Sequence, residues 1–187
     1  RIPVIISSAG GSGGKEHVEW TLSIVQELFI EENWPSVKTA VIWADIPDKA
    51  IVDAMEKGHV IPMGENIPPL TKEKLMQTTG VVAQMGYEPI LKALEEGYQL
   101  LIVGRAYDPA PFAALGVFKG HDLALSYHLG KVLECGALSC DPGTTKDCMM
   151  GVLGDDYFDV YPTSQTRKCT TLSVAAHTFY EKDHPYI

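Results

Sequence analysis

The chain has 187 residues, of which 45% are hydrophobic, and its formal net charge is −9. This length and composition suit one α/β domain, or one domain with a small extension, and they supply enough apolar side chains for a core. The acidic balance, with Lys and Arg scattered along the chain, argues against nucleic-acid binding, and no apolar stretch reaches the ~18 residues of a membrane span.

A glycine-rich turn follows the first predicted strand. Residues 3–8 are short and apolar, as in a buried strand, and the amphipathic pattern of 17–32 predicts a helix. A strand, a glycine-rich turn and a helix present backbone N–H groups at a helix N-terminus, where they favour an anion. The alternative is a flexible turn that lets the helix pack tightly on the strand. We interpret the turn as a substrate-binding loop formed by Gly10, Gly11, Ser12, Gly13 and Gly14.

The middle of the chain alternates between strand and helix patterns. Further strands are predicted at 37–44, 80–85 and 99–103, and the last is apolar throughout, as central parallel strands are. The intervening helices are expected to begin near Asp45 or Pro47, at Thr71 and near Pro89. This alternation predicts an α/β fold of three layers, with a mostly parallel, Rossmann-like sheet and helices on both faces.

The sequence GRAYD at 104–108 follows the last of these strands. In open α/β sheets, ligands bind in the crevice at the carboxyl ends of the strands. The planar guanidinium of Arg105 suits a carboxylate or a phosphate, and the alternative is an internal salt bridge, for example to Asp108. Asp108 is a candidate for proton transfer, and its alternative role is to cap a helix that has Pro109 at its first position.

A helix predicted over 121–133 ends at the sequence Glu-Cys-Gly. Glu134 is a candidate general acid or base, and Cys135 is a candidate nucleophile if a neighbouring base lowers its pKa. The alternative is a plain helix end, with Glu134 solvated, Cys135 buried and Gly136 in the left-handed conformation.

His17, His121 and His128 are candidate functional histidines. His17, early in the first helix, is a further candidate for moving protons. His121 and His128 are seven residues apart on the predicted helix, a spacing that does not chelate a metal unaided. We therefore assign no metal site, and the cofactor is unknown from the sequence.

The pattern becomes irregular after residue 135. The stretch 157–161 alternates and predicts an edge or antiparallel strand, and Thr170 or Thr171 is expected to cap a last helix over 172–181. We expect a single α/β domain over 1–187, with a parallel core at 1–134 and an irregular extension with the last helix at 135–187. Because the chain begins at Arg1 instead of Met, we expect it to be a fragment of a longer protein or a processed chain.

Four segments of the chain resemble one family. The sequences IPVIISSAGGSGG, LLIVGRAYDPAPFAAL, HLGKVLECGAL and TLSVAAHTFYEKDHPY resemble, in order and spacing, the core portion of the acyclic terpene utilisation AtuA-like family. This resemblance implies a cytoplasmic catabolic protein that acts as an enzyme on small organic acids or acyl-CoA thioesters. It does not supply a mechanism. The four cysteines show no CxxC spacing, which argues against a zinc ribbon, and free thiols fit a reducing cytoplasm.

These observations lead to one main functional hypothesis. We expect a lyase or hydratase that holds a small anionic substrate with the glycine loop and Arg105, and that moves protons with Glu134, helped by His17 or Asp108. Two alternatives stay open: a hydrolase or acyl transferase that uses Cys135, and a non-catalytic ligand-binding subunit of a larger complex. We expect no nucleic-acid or membrane partner, and we expect a homo-oligomer or a subunit of a complex.

Overall fold

The computed structural model describes residues 2–180, and these form two compact units. The first unit comprises the described residues up to Met85 together with Gln99–Ala106. The second unit comprises Gly86–Tyr98 together with the described residues from Tyr107 onward. The expectation of one domain over 1–187, with its core at 1–134, stays a prediction.

The first unit contains a small parallel sheet. Its elements are β1 (Val4–Ile6), α1 (Lys15–Glu31), β2 (Thr39–Ile42), α2 (Asp48–Glu56), α3 (Lys72–Met76) and β3 (Leu100–Val103). Strand β3 lies between β1 and β2 and pairs in parallel with both. All four residues of β3 are buried, so the predicted central strand is confirmed. Because the three strands run in one direction, their carboxyl ends lie at one edge of the sheet.

Helix α1 is held to this sheet by an apolar face. Val18, on the first turns of the helix, is fully buried with Ala9 and Ile102. Side chains that pack partly buried against this centre are Ile6, Leu22, Val25 and Val41. The helical spacing of apolar residues that predicted α1 therefore corresponds to its contact with the sheet.

Residues 80–85 do not form the predicted strand. Val82 makes an isolated antiparallel bridge to Asp45, and Met85 makes an isolated parallel bridge to Ala106. The segment thus crosses from the end of β2 to the end of β3 without running alongside either strand. The α/β class is confirmed, with three parallel strands in the described chain where four were predicted.

The second unit is mainly helical and carries a β-hairpin. Its elements are α4 (Glu88–Glu95), α5 (Ala110–Phe118), α6 (Leu123–Leu133), a 3₁₀ helix (Gly136–Ser139), β4 (Met149–Leu153), β5 (Phe158–Pro162) and α7 (Thr171–Thr178). Strands β4 and β5 pair antiparallel, with Met149 opposite Pro162. The strand predicted at 157–161 is therefore confirmed as β5, whereas β4 was not predicted.

Small residues let α5 and α6 approach each other closely. A Cβ atom at Gly116 would lie 2.2 Å from the Oγ of the buried Ser126, so a larger residue does not fit there.

Among residues 2–180, no helix has both the length and the apolar character needed to cross a bilayer.

Helix α7 begins as predicted. Thr170 is its N-cap and forms a capping box with Ser173, in which each side chain accepts the backbone N–H of the other residue. The helix ends at Thr178, before the predicted end at residue 181. Residue 181 lies outside the described residues.

Candidate functional site

The glycine loop is tied to the carboxyl end of β3. Ser8 donates its backbone N–H to the carbonyl of Gly104 at 3.2 Å, and Ala9 donates to the carbonyl of Val103 at 3.1 Å. The loop then turns back on itself, since Gly13 donates to the carbonyl of Ala9 at 3.1 Å. The predicted loop therefore lies at the edge of the sheet where the carboxyl ends of the strands meet.

Gly13 brings this loop against the backbone of Arg105. Arg105 donates its N–H to the carbonyl of Gly13 at 3.1 Å, and Gly13 is buried with a φ of +67°. A Cβ atom at Gly13 would lie 2.1 Å from the backbone nitrogen of Arg105. At this position the glycine is explained by the contact between two backbones, whether or not a ligand binds.

The Arg105 side chain lies beside the same loop. Its Nη1 donates to the Oγ of Ser8 at 3.3 Å, and the Arg105 residue is half-buried. Ser8 has a φ of +48°, which is uncommon for a residue other than glycine. The structure thus brings the glycine loop and Arg105 together, as the sequence predicts. The link is Ser8, which the sequence assigns only to the first strand.

His17 also belongs to this group. Its Nδ1 lies 2.6 Å from the Oγ of Ser12, and the same Oγ accepts the backbone N–H of Gly14 at 3.2 Å. Ser12 and His17 are exposed. Gly14 is the N-cap of α1 and has no side chain that could cap the helix. The hydroxyl of Ser12, two residues before it, accepts a backbone N–H at this helix end instead.

Asp45 supplies a second group to the start of α1. Its Oδ1 accepts the backbone N–H of Lys15, the first residue of the helix, at 3.0 Å. The sequence offered Asp45 or Pro47 for the start of the following helix, and Pro47 is the N-cap of α2. The pairing could not be found from local sequence signals, because the two residues are 30 positions apart.

The other candidate residues lie in the second unit. Asp108 was a predicted N-cap of α5, with Pro109 as the first helical residue. The structure has Pro109 as the N-cap and Ala110 as the first helical residue, so the helix begins one position later. Cys135 is half-buried at the N-cap of the 3₁₀ helix. Their convergence with the glycine loop stays a prediction, and so does the nucleophilic role of Cys135.

Glu134 is buried, in contrast to the solvated helix end that was its alternative. Its Oε1 lies 2.5 Å from the Nζ of Lys131, and the two side chains are only 4% and 13% exposed, respectively. His177 is also buried and stacks on Tyr180, with ring centroids 5.5 Å apart. The ammonium of Lys131 lies 5.9 Å from the centroid of the Tyr180 ring. A polar cluster of Lys131, Glu134, His177 and Tyr180 thus joins α6 to α7.

A group of tyrosines lies close to the start of α5. The ring of Tyr127 is 6.0 Å from that of Tyr87 and 6.1 Å from that of Tyr107, between centroids. Burial, followed by the negative charge of Glu88, raises the pKa of the Tyr127 phenol above its ordinary value. Loss of the Tyr127 proton is therefore less favourable than in an ordinary tyrosine.

The two histidines of the predicted 121–133 helix have separate partners. His121 precedes the helix, and its Nδ1 lies 2.9 Å from the carbonyl of Gly154. His128 lies edge-on to Phe158, with ring centroids 5.0 Å apart. In the part of the chain that the structure describes, no group of three or more His, Cys, Asp or Glu side chains is arranged to hold a metal ion.

Comparison with known proteins identifies a family. The family model described as "Acyclic terpene utilisation family protein AtuA" matches residues 2–148, a range that includes the glycine loop, Arg105 and Glu134. Searches of curated proteins and of solved structures gave no match. The family description indicates a role in acyclic terpene utilisation, which is consistent with a catabolic role. Because the match covers well over half of the sequence, the chain belongs to the acyclic terpene utilisation family AtuA.

Proposed function

We propose that the chain is a catabolic enzyme that binds a small organic acid or an acyl-CoA thioester at the glycine loop and catalyses a lyase or hydratase reaction. One observation carries this proposal. The backbone of Arg105 donates to Gly13 at 3.1 Å, while its guanidinium donates to Ser8, so a cation and a glycine-rich turn share one edge of a parallel sheet. Ligands of open α/β sheets bind at this edge.

The proposed roles follow from the chemistry of each side chain. Gly10, Gly11, Ser12, Gly13 and Gly14 provide the floor of the site. Arg105 pairs with the carboxylate or phosphate of the substrate through its planar fork. His17 is proposed to move protons beside the loop. Asp108 and Glu134, whose carboxylate is held by Lys131, are proposed for proton transfer in the second unit.

Asp45 restricts how the anion is held. Its carboxylate already accepts an N–H group at the positive end of the α1 dipole. The substrate anion is therefore proposed to depend on the guanidinium of Arg105 more than on the helix dipole. This makes Arg105 the most informative residue to change.

The proposal extends to architecture and location. The buried strand β3, paired in parallel on both sides, supports a three-layer, Rossmann-like arrangement with helices on both faces, within one domain. We further propose a cytoplasmic protein, supported by four cysteines that form no disulfide, and a homo-oligomer or a subunit of a complex.

The test is binding of a fixed panel of probes: malonate, citrate, coenzyme A and acetyl-coenzyme A. Isothermal titration should detect at least one of them, and Arg105→Gln should weaken that binding by about 10-fold or more, since a charge-assisted bidentate contact is lost. Lys49→Gln, an exposed lysine of α2, is the matched control and should bind like the unchanged chain. Equal affinity in Arg105→Gln, or no binding of any probe, would contradict the proposal.

A further inference from the structure

Ser12 and His17 form a hydrogen-bonded pair, and the proposed lyase or hydratase chemistry gives the hydroxyl of Ser12 no role in bond making. The Oγ of Ser12 lies 2.6 Å from the Nδ1 of His17, and both residues are exposed. A nucleophile and a base within hydrogen-bond reach are the arrangement that covalent catalysis requires. We propose that Ser12 is an acyl-accepting nucleophile and that His17 is its general base.

The surroundings of Ser12 favour its ionised form. The backbone N–H of Gly14 donates to the Oγ at 3.2 Å, and Gly14 is the N-cap of α1. A developing negative charge on this oxygen thus meets an N–H donor and the positive end of a 17-residue helix. Asp45 binds the N–H of Lys15, so its negative charge offsets part of the dipole but leaves the Gly14 donor on Ser12 in place.

The loop also fixes the position of His17. Gly10 has a φ of +66°, and a Cβ atom there would lie 2.6 Å from the Cβ of His17. The backbone of His17 is held in the first turn of α1 by its N–H, which donates to the carbonyl of Gly14 at 3.0 Å. The absence of a side chain at Gly10 therefore creates the space in which the imidazole lies beside Ser12.

The proposed step transfers an acyl group from a thioester. The Oγ of Ser12 attacks the carbonyl carbon, an O–C bond forms, and the C–S bond breaks. The hydroxyl proton passes to Nδ1 of His17 and then to the departing sulfur, which leaves as a thiol. A water molecule then attacks the acyl-serine with His17 as base, and a carboxylic acid and the free hydroxyl of Ser12 result. This inference rests on the acyl-thioester branch of the proposed function.

The test uses p-nitrophenyl acetate and acetyl-coenzyme A as probes on the full chain. We expect a burst of p-nitrophenolate, and peptide mass spectrometry should locate one acetyl group on Ser12. Ser12→Ala should abolish the burst and the adduct, and His17→Gln should slow acylation by about 100-fold or more, which is the usual contribution of a general base. Ser23→Ala is the matched control. Ser23 is an exposed serine of α1, and its Oγ donates a hydrogen bond to the carbonyl of Trp20.

Two further readouts separate the possible failures. Ser12→Cys keeps a nucleophile at the position and should carry the acetyl group on sulfur, which shows that the loop has kept its structure. No adduct in the unchanged chain, or an adduct that persists in Ser12→Ala, would overturn the inference. If acetyl-coenzyme A binds in an Arg105-dependent way without acylation, the inference fails and the proposed function stands.

Discussion

The carboxylate of Asp45 accepts the backbone N–H of Lys15 at 3.0 Å, so the chain places its own negative charge at the N-terminus of α1. Asp45 follows β2 and Lys15 follows β1, and the two strands are neighbours of β3 on opposite sides. An anion that approaches the glycine loop therefore meets attraction from the helix dipole and repulsion from Asp45.

Asp45→Asn should strengthen binding of citrate or malonate at the loop. The amide oxygen still accepts the N–H of Lys15, while the negative charge is lost. We expect about a 2- to 5-fold gain in affinity, which corresponds to the ~0.3–1 kcal/mol of a charge near a helix terminus. Titration calorimetry at low salt measures it, with Asp48→Asn in the first turn of α2 as the control. Weaker binding in Asp45→Asn would mean that Asp45 helps to hold the ligand.

Gly13→Ala should destabilise the chain much more than Gly14→Ala. At Gly13 the new methyl group would meet the backbone of Arg105 at 2.1 Å, and the left-handed φ adds about 1–2 kcal/mol of strain. Gly14 has an extended backbone, and its nearest atom would be 3.5 Å away, so alanine should cost about 1 kcal/mol or less. Urea unfolding of the two variants provides the comparison. Similar losses would show that the Gly13 contact is not a constraint.

Breaking the Lys131–Glu134 pair should cost more than replacing it. Lys131→Met leaves the Glu134 carboxylate buried without this cation, and a loss of about 3 kcal/mol is expected. The double variant Lys131→Met with Glu134→Leu removes both charges and should recover most of that loss. Denaturant unfolding of Lys131→Met, of Glu134→Leu and of the double variant gives the coupling energy between the two side chains. A coupling near zero would contradict a close interaction between the two side chains.

High pH should destabilise the chain partly through Cys169. Burial first, and then the neighbouring thiol of Cys140, raises the pKa of Cys169 from 9.0 to about 11. A folded-state pKa above the unfolded value gives stability that is complete below pH 9 and is lost as the pH rises to about 11. Unfolding free energies at pH 8 and above should fall less steeply in Cys169→Ser. An identical slope in that variant would exclude this contribution.

The sequence was informative where the signal is local. The apolar run at 99–103 predicted a central strand, and β3 is buried along its whole length. The Thr170 cap and the alternation at 157–161 were likewise visible in neighbouring residues. The position of Arg105 beside the glycine loop followed from a general rule about parallel sheets.

The features that the sequence did not predict depend on interactions between distant residues. The stretch 80–85 has strand composition, but its hydrogen bonds go to the ends of β2 and β3, where each bridge is only one residue long. Asp45 caps a helix that begins 30 residues earlier. The burial of the Glu134 side chain was not predicted, although its partner Lys131 is only three residues away.

The order of the strands has a consequence for synthesis of the protein. Strands β1 and β2 each pair with β3 and not with each other, yet β3 is separated from β2 by 57 residues, of which 86–98 belong to the second unit. A nascent chain that has not yet reached Leu100 therefore holds two apolar strands without the neighbour that separates them. Ribosome-bound chains that end before Leu100 should accordingly expose these strands to chaperones and proteases. Chains extended far enough for Leu100–Val103 to leave the ribosome should protect them by pairing with β3.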